Sequence, residues 1–414
     1  MFDVEAIRAR FPALARKHDD QQVVIVDTPG GSQVPDTVIE AVAGHLRRGL
    51  SNSGGAFASS RETDAIVTSA REAAADLVNA DPSEIVFGPN STTLLFHLAR
   101  SFSKTLGPGD EVVVTRLDHD ANIRPWARAA EDAGVSVRWV DIDAADATLD
   151  EASFDEALSE RTRLVAFTLA SNGVGTITPA AALAARAKAV GATVVVDGVH
   201  VAQHRAIDFR ELGVDVVAVS PYKVFGPHLG MLAVRRELLD RFDPYRVRPA
   251  DDYTGAERWE TGTQNHEGLA GFVAAVDYLA GCGQLYGDPS GDDRRAAIVA
   301  AFEAFGSHER ILALRFLDGL AGIPAARLYG IADRIRVNER TPTFAVRLGD
   351  HDPAKTAEAL GDRGIFVWDG HYYAIELFER LSLLDTGGAI RIGFCHYHTL
   401  EEVDRVLQAM ADLA

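Results

Sequence analysis

At 414 residues, with 47% hydrophobic and 24% charged side chains, the chain has the composition of an ordinary globular protein and the length for two domains, one of them large. A net charge of −19 speaks against nucleic acid as a partner, and no stretch reaches the roughly 20 apolar residues of a membrane span. The opening MFDVEAIRARFPALAR lacks the apolar run of a secretory signal, and two cysteines without metal spacing, Cys282 and Cys395, suit a reducing cytoplasm.

From about residue 84 to residue 236, strand-like runs alternate with helix-period segments. The strands read as Glu84–Phe87, Glu111–Thr115, Val135–Val140, Leu164–Thr168, Thr193–Val196, Val214–Ser220 and Met231–Val234. Helical patterns such as Pro179–Val190, ended by Gly191, lie between them. Near-continuous apolar strands are expected of a mostly parallel sheet covered by helices on both faces, an α/β architecture. Ligands of such sheets bind beyond the carboxyl ends of the strands. The Gly- and Asp-rich stretch Gly281–Arg294 reads as a hinge or boundary. A second alternation follows, with a helix to about Leu320, strands at Ala326–Tyr329 and Thr343–Leu348, and a helix from Pro353. Short strands at Ile365–Val367 and Ala389–Phe394 and a closing helix Leu400–Leu413 complete a smaller α/β domain. The expected division is a large domain over residues 20–285 and a small one from residues 1–19 and 286–414.

Candidate chemistry sits at the strand ends. Gly88–Thr93 precedes a helix, and its Asn, Ser and Thr residues suit either capping or a phosphate cradle, because a helix N-terminus offers free N–H groups. His119, within Asp118–Asn122, could stack on a flat ring or shuttle protons, against the alternative of a surface loop. Asn172, in Ser171–Gly175, could bond a ligand, although Asn-Gly is first a turn signal. Asp197 ends one strand, with His200 three residues on, and Lys223 follows the next strand. A pyridoxal phosphate (PLP) enzyme needs such a lysine for its Schiff base and a carboxylate to hold the pyridine nitrogen protonated. Asp197, His200 and His204 could instead bind a metal, but a metal site has no need of Lys223, so no metal is expected. Arg391 is a charge inside an apolar run, which suits either an exposed edge or a fork for a substrate carboxylate. No Gly-x-Gly-x-x-Gly turn supports a nicotinamide dehydrogenase.

In this order, Asp118–Trp126, Val196–His200, Ser220–Lys223 and Trp259–Asn265 resemble the class V aminotransferase family, which includes the cysteine desulfurases and selenocysteine lyases. The resemblance runs from about Asp27 to the C-terminus. It implies a three-layer PLP-dependent transferase of fold type I with a mostly parallel central sheet and a smaller C-terminal α/β domain. It also implies a homodimer with shared sites. Lys223 matches the Schiff-base lysine, Asp197 the partner of the pyridine nitrogen and His119 the ring-stacking histidine. Ser91, Thr92 and Ser220 match phosphate ligands, and Tyr222 stands where relatives place a histidine on the phosphate. Thr263 matches a threonine that reaches the phosphate from the second subunit. Asn172 and Arg391 match the substrate side, and His200 stands where relatives often carry a glutamine on the cofactor's phenolic oxygen. The segment Val367–Ala374 departs from the desulfurases: Trp368 stands near their arginine and Tyr373 at their persulfide-forming cysteine. Cys395, four residues after Arg391, is expected to be a core or lining thiol. Trp368, His371, Tyr372 and Tyr373 are expected to line a side-chain pocket tolerant of apolar or aromatic substrates. The implied function is PLP-dependent chemistry on an amino acid through an α-carbanion, as an aminotransferase or a desulfurase-like lyase without the persulfide cysteine. A β-elimination or C–S lyase, or an epimerase, is the alternative, with a non-catalytic PLP-binding module behind it.

Overall fold

A computed structural model describes residues 2–414. Runs of valine, with isoleucine and threonine, set the central sheet, because β-branched side chains pack well on a pleat. Its seven strands lie in the order Ile85–Gly88, Gly230–Val234, Val216–Val219, Thr193–Asp197, Thr162–Thr168, Glu111–Thr115 and Ser136–Val140. Neighbours are parallel except at Gly230–Val234, which runs antiparallel to both of its partners. The mostly parallel α/β sheet expected from the apolar runs is therefore present. Ile85–Gly88 consequently points the same way as Val216–Val219, so the carboxyl ends of the parallel strands share one edge.

Side chains alternate between two cores, as the period of a strand requires. Val112, Val114 and Val195 pack with Leu98, Phe102 and Trp126 on one face. Val113, Val194 and Val196 pack with Leu183, Phe272 and Leu279 on the other. The strand before Lys223 stops at Val219 because Pro221 has no N–H for the ladder and its fixed φ opens a short 3₁₀ turn, Pro221–Lys223.

A second sheet is antiparallel, in the order Ala326–Tyr329, Thr343–Leu348, Ala389–Gly393 and Trp368–Gly370. The expected strand Ile365–Val367 is two pieces: Ile365–Phe366 pairs with Val24–Ile25, and Trp368–Gly370 pairs with Ala389–Gly393. The N-terminal segment continues along this sheet, where Gly393 donates to the Val26 carbonyl at 2.7 Å and Asp27 bridges to Gly393.

The helices bear on two expectations. Within the stretch Gly281–Arg294 the chain breaks at residues 287–293, between helix His266–Tyr286 and helix Arg294–Ala321, and not at Gly281. Its glycines serve contact: a methyl at Gly283 would lie 1.7 Å from the Ala297 carbonyl oxygen, and one at Gly287 2.6 Å from that of Ala300. The same helix, His266–Tyr286, has 21 residues and contains an 18-residue window of mean hydropathy 1.2, so one stretch is after all long and apolar enough to cross a membrane. Here its apolar residues, Leu269, Phe272, Val276 and Leu279 among them, are buried in the core. Helix Arg294–Ala321 joins two cores, with Ile298, Phe302 and Phe305 in the one that holds Leu183 and Phe272, and Leu312, Phe316 and Leu320 beneath the second sheet.

Candidate active site

Five connections leave the carboxyl edge of the large sheet, and each carries one part of the site. After Ile85–Gly88, Asn90 caps helix Ser91–Ser103 by accepting from the Thr93 N–H at 2.8 Å. The capping expectation therefore holds for Asn90, while Ser91 does something else. Its hydroxyl donates to the Val219 carbonyl at 2.7 Å and lies 2.8 Å from the Ser220 hydroxyl. The helix start sits tight against Gly230, where a methyl would be 2.2 Å from the Asn90 carbonyl carbon. Only glycine permits that approach.

After Glu111–Thr115, Asp118 is fully buried and accepts from Asn122 Nδ2 at 2.7 Å and from the Thr115 hydroxyl. Burial pushes its carboxyl up to about 8, with Asp197 adding to the rise. The Asp197 carboxyl is also raised by burial, which the Val199 N–H at 2.8 Å and the charge on Lys223 oppose. His119 accepts from the Ala121 N–H at 3.0 Å through Nδ1, which leaves the ring proton on Nε2. Burial, with Lys223 and Arg391 nearby, lowers its pKa to about 3, so the imidazole is neutral.

Asn172 donates to the Tyr372 carbonyl at 2.9 Å, and its Oδ1 is buried without a partner. His200 places Nε2 at 3.1 Å from the Thr341 hydroxyl and 3.2 Å from that of Thr343, and its Nδ1 is likewise buried and unpartnered. Lys223 is 7% exposed, and its amine donates to the Pro29 carbonyl at 2.6 Å. Burial and the Arg391 charge lower the amine to about 8, against the pull of Asp197 and Asp27. Arg391, on Ala389–Gly393, donates to Asp27 Oδ1 at 2.9 Å and to the Asn172 carbonyl at 3.2 Å, and its Nε has no partner.

These groups meet in a cavity of about 480 Å³, lined among others by Thr92, His119, Asn172, Tyr222, Lys223 and Arg391. A deeper recess of about 60 Å³ is bounded by Ser91, Asp197, His200, Ser220 and Lys223. Tyr222 borders both spaces, its ring stacked on His228 at 4.9 Å. The mouth carries two exposed aromatics, Trp368 at 56% and Tyr373 at 66%. Tyr372 and Tyr373 both hold left-handed backbone, φ 52° and 59°, which costs a non-glycine residue energy and marks a constrained site. The strain places Tyr372 under Arg391, 4.5 Å from guanidinium to ring, and Tyr373 over His119, 5.5 Å between rings. The Tyr373 carbonyl is held by the Asp120 N–H at 2.8 Å.

Of the residues expected at the site, Thr263 stands apart. It is exposed and lines a separate cavity with Trp259 and His228. His371, expected in the pocket, does not line it; its Nδ1 caps the turn by accepting from the Tyr373 N–H at 3.2 Å. Cys395 lies past the strand end at Gly393, fully buried with its thiol pushed up by burial, and does not line the cavity. His204 turns to Glu309 at 2.9 Å. Asp27, Pro29, Thr341 and Thr343 were not foreseen at the site.

The family model described as "Aminotransferase class-V" matches residues 24–285 and 296–406. Among similar proteins, "Uncharacterized protein MT3887" of Mycobacterium tuberculosis is 32% identical over 413 residues, covering 100% of this chain and 99% of its own length. A cysteine desulfurase of Pectobacterium atrosepticum is 31% identical, with 99% of this chain and 97% of that protein covered. Among solved structures, the apo cysteine desulfurase of Thermococcus onnurineus NA1 matches with a TM-score of 0.88 at 25% identity, covering 99% of this chain and 97% of that one.

Proposed function

The chain belongs to the aminotransferase class-V family and has the fold of the PLP-dependent transferases of fold type I, and on that premise we propose that it removes the α-proton of an amino acid gripped by Arg391 without handing sulfur to a cysteine. One observation carries this reading: the buried Lys223 amine, lowered to about 8, and the buried Arg391 guanidinium line the same cavity.

The residues fit PLP. His200 Nδ1 and Asn172 Oδ1 are buried polar atoms lacking partners, as groups awaiting a polar ligand would be. Asp197 offers a buried carboxyl whose affinity for protons is raised by burial and opposed by the Val199 N–H and the Lys223 charge, and the Asp118 carboxyl is pushed up to about 8. In this reading Asp197 takes the pyridine nitrogen, His119 the ring face and His200 the phenolic oxygen. Ser91, Thr92, Ser220 and Tyr222 take the phosphate, and a second copy of the chain brings Thr263 to it. Bound there, the cofactor supplies an electron sink for charge developing at the substrate's α-carbon.

The protein's own part is to bind, orient and move a proton. Arg391, which lines the cavity, holds the α-carboxylate, while Asp27 and the Asn172 carbonyl fix the guanidinium plane. Lys223 Nζ, whose hold on a proton is weakened by burial and the Arg391 charge, accepts the α-proton. Neutral His119 packs under Tyr373, which together with Trp368 shields the mouth from water. Both cysteines are buried and neither lines the cavity, which supports chemistry without a persulfide on this chain.

Protein supplied with PLP is expected to gain a visible absorption band that Lys223→Ala abolishes; a colourless wild type would sink the cofactor reading. Products from a panel of amino acids then separate transamination, β-elimination and racemisation. Rapid release of alanine and sulfide from cysteine, with a persulfide mapped to Cys282 or Cys395, would refute the reading on sulfur. A mass twice that of the 44.5 kDa chain in sedimentation is the expected result for the shared site.

A further inference from the structure

Two guanidinium groups open onto the cavity, and they are unlike. Arg391 is 4% exposed, tied to Asp27 and Asn172. Arg124 is exposed and, among the described residues, has no hydrogen bond or ion pair from its side chain, although it lines the same space. Its backbone is well fixed: it opens helix Arg124–Ala133, followed by buried Pro125 and Trp126. The charge on Arg124 acts on Asp120, whose half-buried carboxyl is raised by burial. Lys223 and His119 feel Arg391 instead. Arg124 thus marks the outer end of the cavity and Arg391 the inner one. The lining of the same cavity also includes Phe96, Trp368 and Tyr373, which suit an apolar stem, and Asp120.

We propose that Arg124 is a specificity residue that receives a distal acidic group on the substrate's side chain, so that the preferred substrate is an amino acid with an anion at each end. This deepens the amino-acid reading above and rests on it. A planar guanidinium forks onto a carboxylate, and an anion arriving there gives Arg124 a direct ion-pair partner, which the nearby Asp120 carboxyl does not supply within ion-pair distance.

The test uses PLP-loaded protein and ligands that bind but cannot lose an α-proton: α-methylglutamate against α-methylglutamine, and α-methylaspartate against α-methylasparagine. In calorimetry the acid of at least one pair should bind wild type about fivefold more tightly than its amide, the range of a part-exposed ion pair. Arg124→Ala should erase that preference and Arg124→Lys retain most of it, with both variants melting as wild type does because the side chain is exposed. Equal affinity of acid and amide for wild type in both pairs overturns the proposal, as does a preference that survives in Arg124→Ala. Failure of all four ligands to bind protein that carries the visible cofactor band would overturn the amino-acid reading itself, and this proposal with it.

Discussion

Burial and the neighbouring Arg391 charge bring the Lys223 amine down to about 8, whereas an ordinary lysine titrates near 10.4. Only the unprotonated amine attacks an aldehyde, so capture of PLP by the apo-protein should quicken with pH and reach half its maximum near 8. A midpoint above about 10 would contradict the burial argument. The sign for stability follows from the same shift. The folded pKa lies below the unfolded one, so the unfolded chain binds more protons between the two values. Stability from this group is therefore present above about 10.4, falls as the pH drops and is lost by about 8. Lys223→Met should flatten that slope in urea midpoints of the apo-protein measured across the window. Arg391 gives a complementary prediction. Arg391→Ala should raise KM for the amino acid by more than about tenfold, because a charge-assisted bidentate contact is lost, while the visible cofactor band persists. Loss of the band instead would place Arg391 on the cofactor.

At the scale of elements, the tight pair of helices His266–Tyr286 and Arg294–Ala321 is the sharpest case. Gly283→Ala would drive a methyl into the Ala297 carbonyl, and overpacking of this kind costs about 1–3 kcal/mol. The urea midpoint should fall accordingly; an unchanged midpoint would mean that the helices can part freely. That contact was invisible in the sequence, where glycines among Asp and Ser residues suggest a hinge. A glycine kept for close approach looks the same in a string of letters as one kept for a turn. The large sheet was legible because its strands are valine-rich runs of one period, and Lys223, Asp197 and His119 were legible because each follows such a run. Asp27 was not legible as the partner of Arg391, since 364 residues separate them and they meet only because the N-terminal segment pairs with Ile365–Phe366 and with Gly393. Pro29 and Thr341 were hidden for the same reason: a backbone carbonyl and a loop hydroxyl become site groups only through tertiary placement.

Across the whole molecule, helix Arg294–Ala321 shares its length between two cores, so neither can melt without fraying it. Trp126 and Trp259 lie in the core on the other face of the large sheet, whose strands tie it to the core that holds Phe302, so tryptophan fluorescence and helical circular dichroism should report one coincident unfolding transition. Two separated transitions would show that the shared helix does not couple the cores. The glycine contact at Gly283 and Gly287 has a mechanical consequence beyond stability. Helices meshed at backbone distance cannot slide along one another, so the frame around the cavity is denied that shear motion. Admission of a ligand is then left to Trp368 and Tyr373, exposed side chains that reorient in picoseconds to nanoseconds. Exchange through such a gate is paced by encounter and by fit past two rings, and a molecule too wide for them is refused before any chemistry begins.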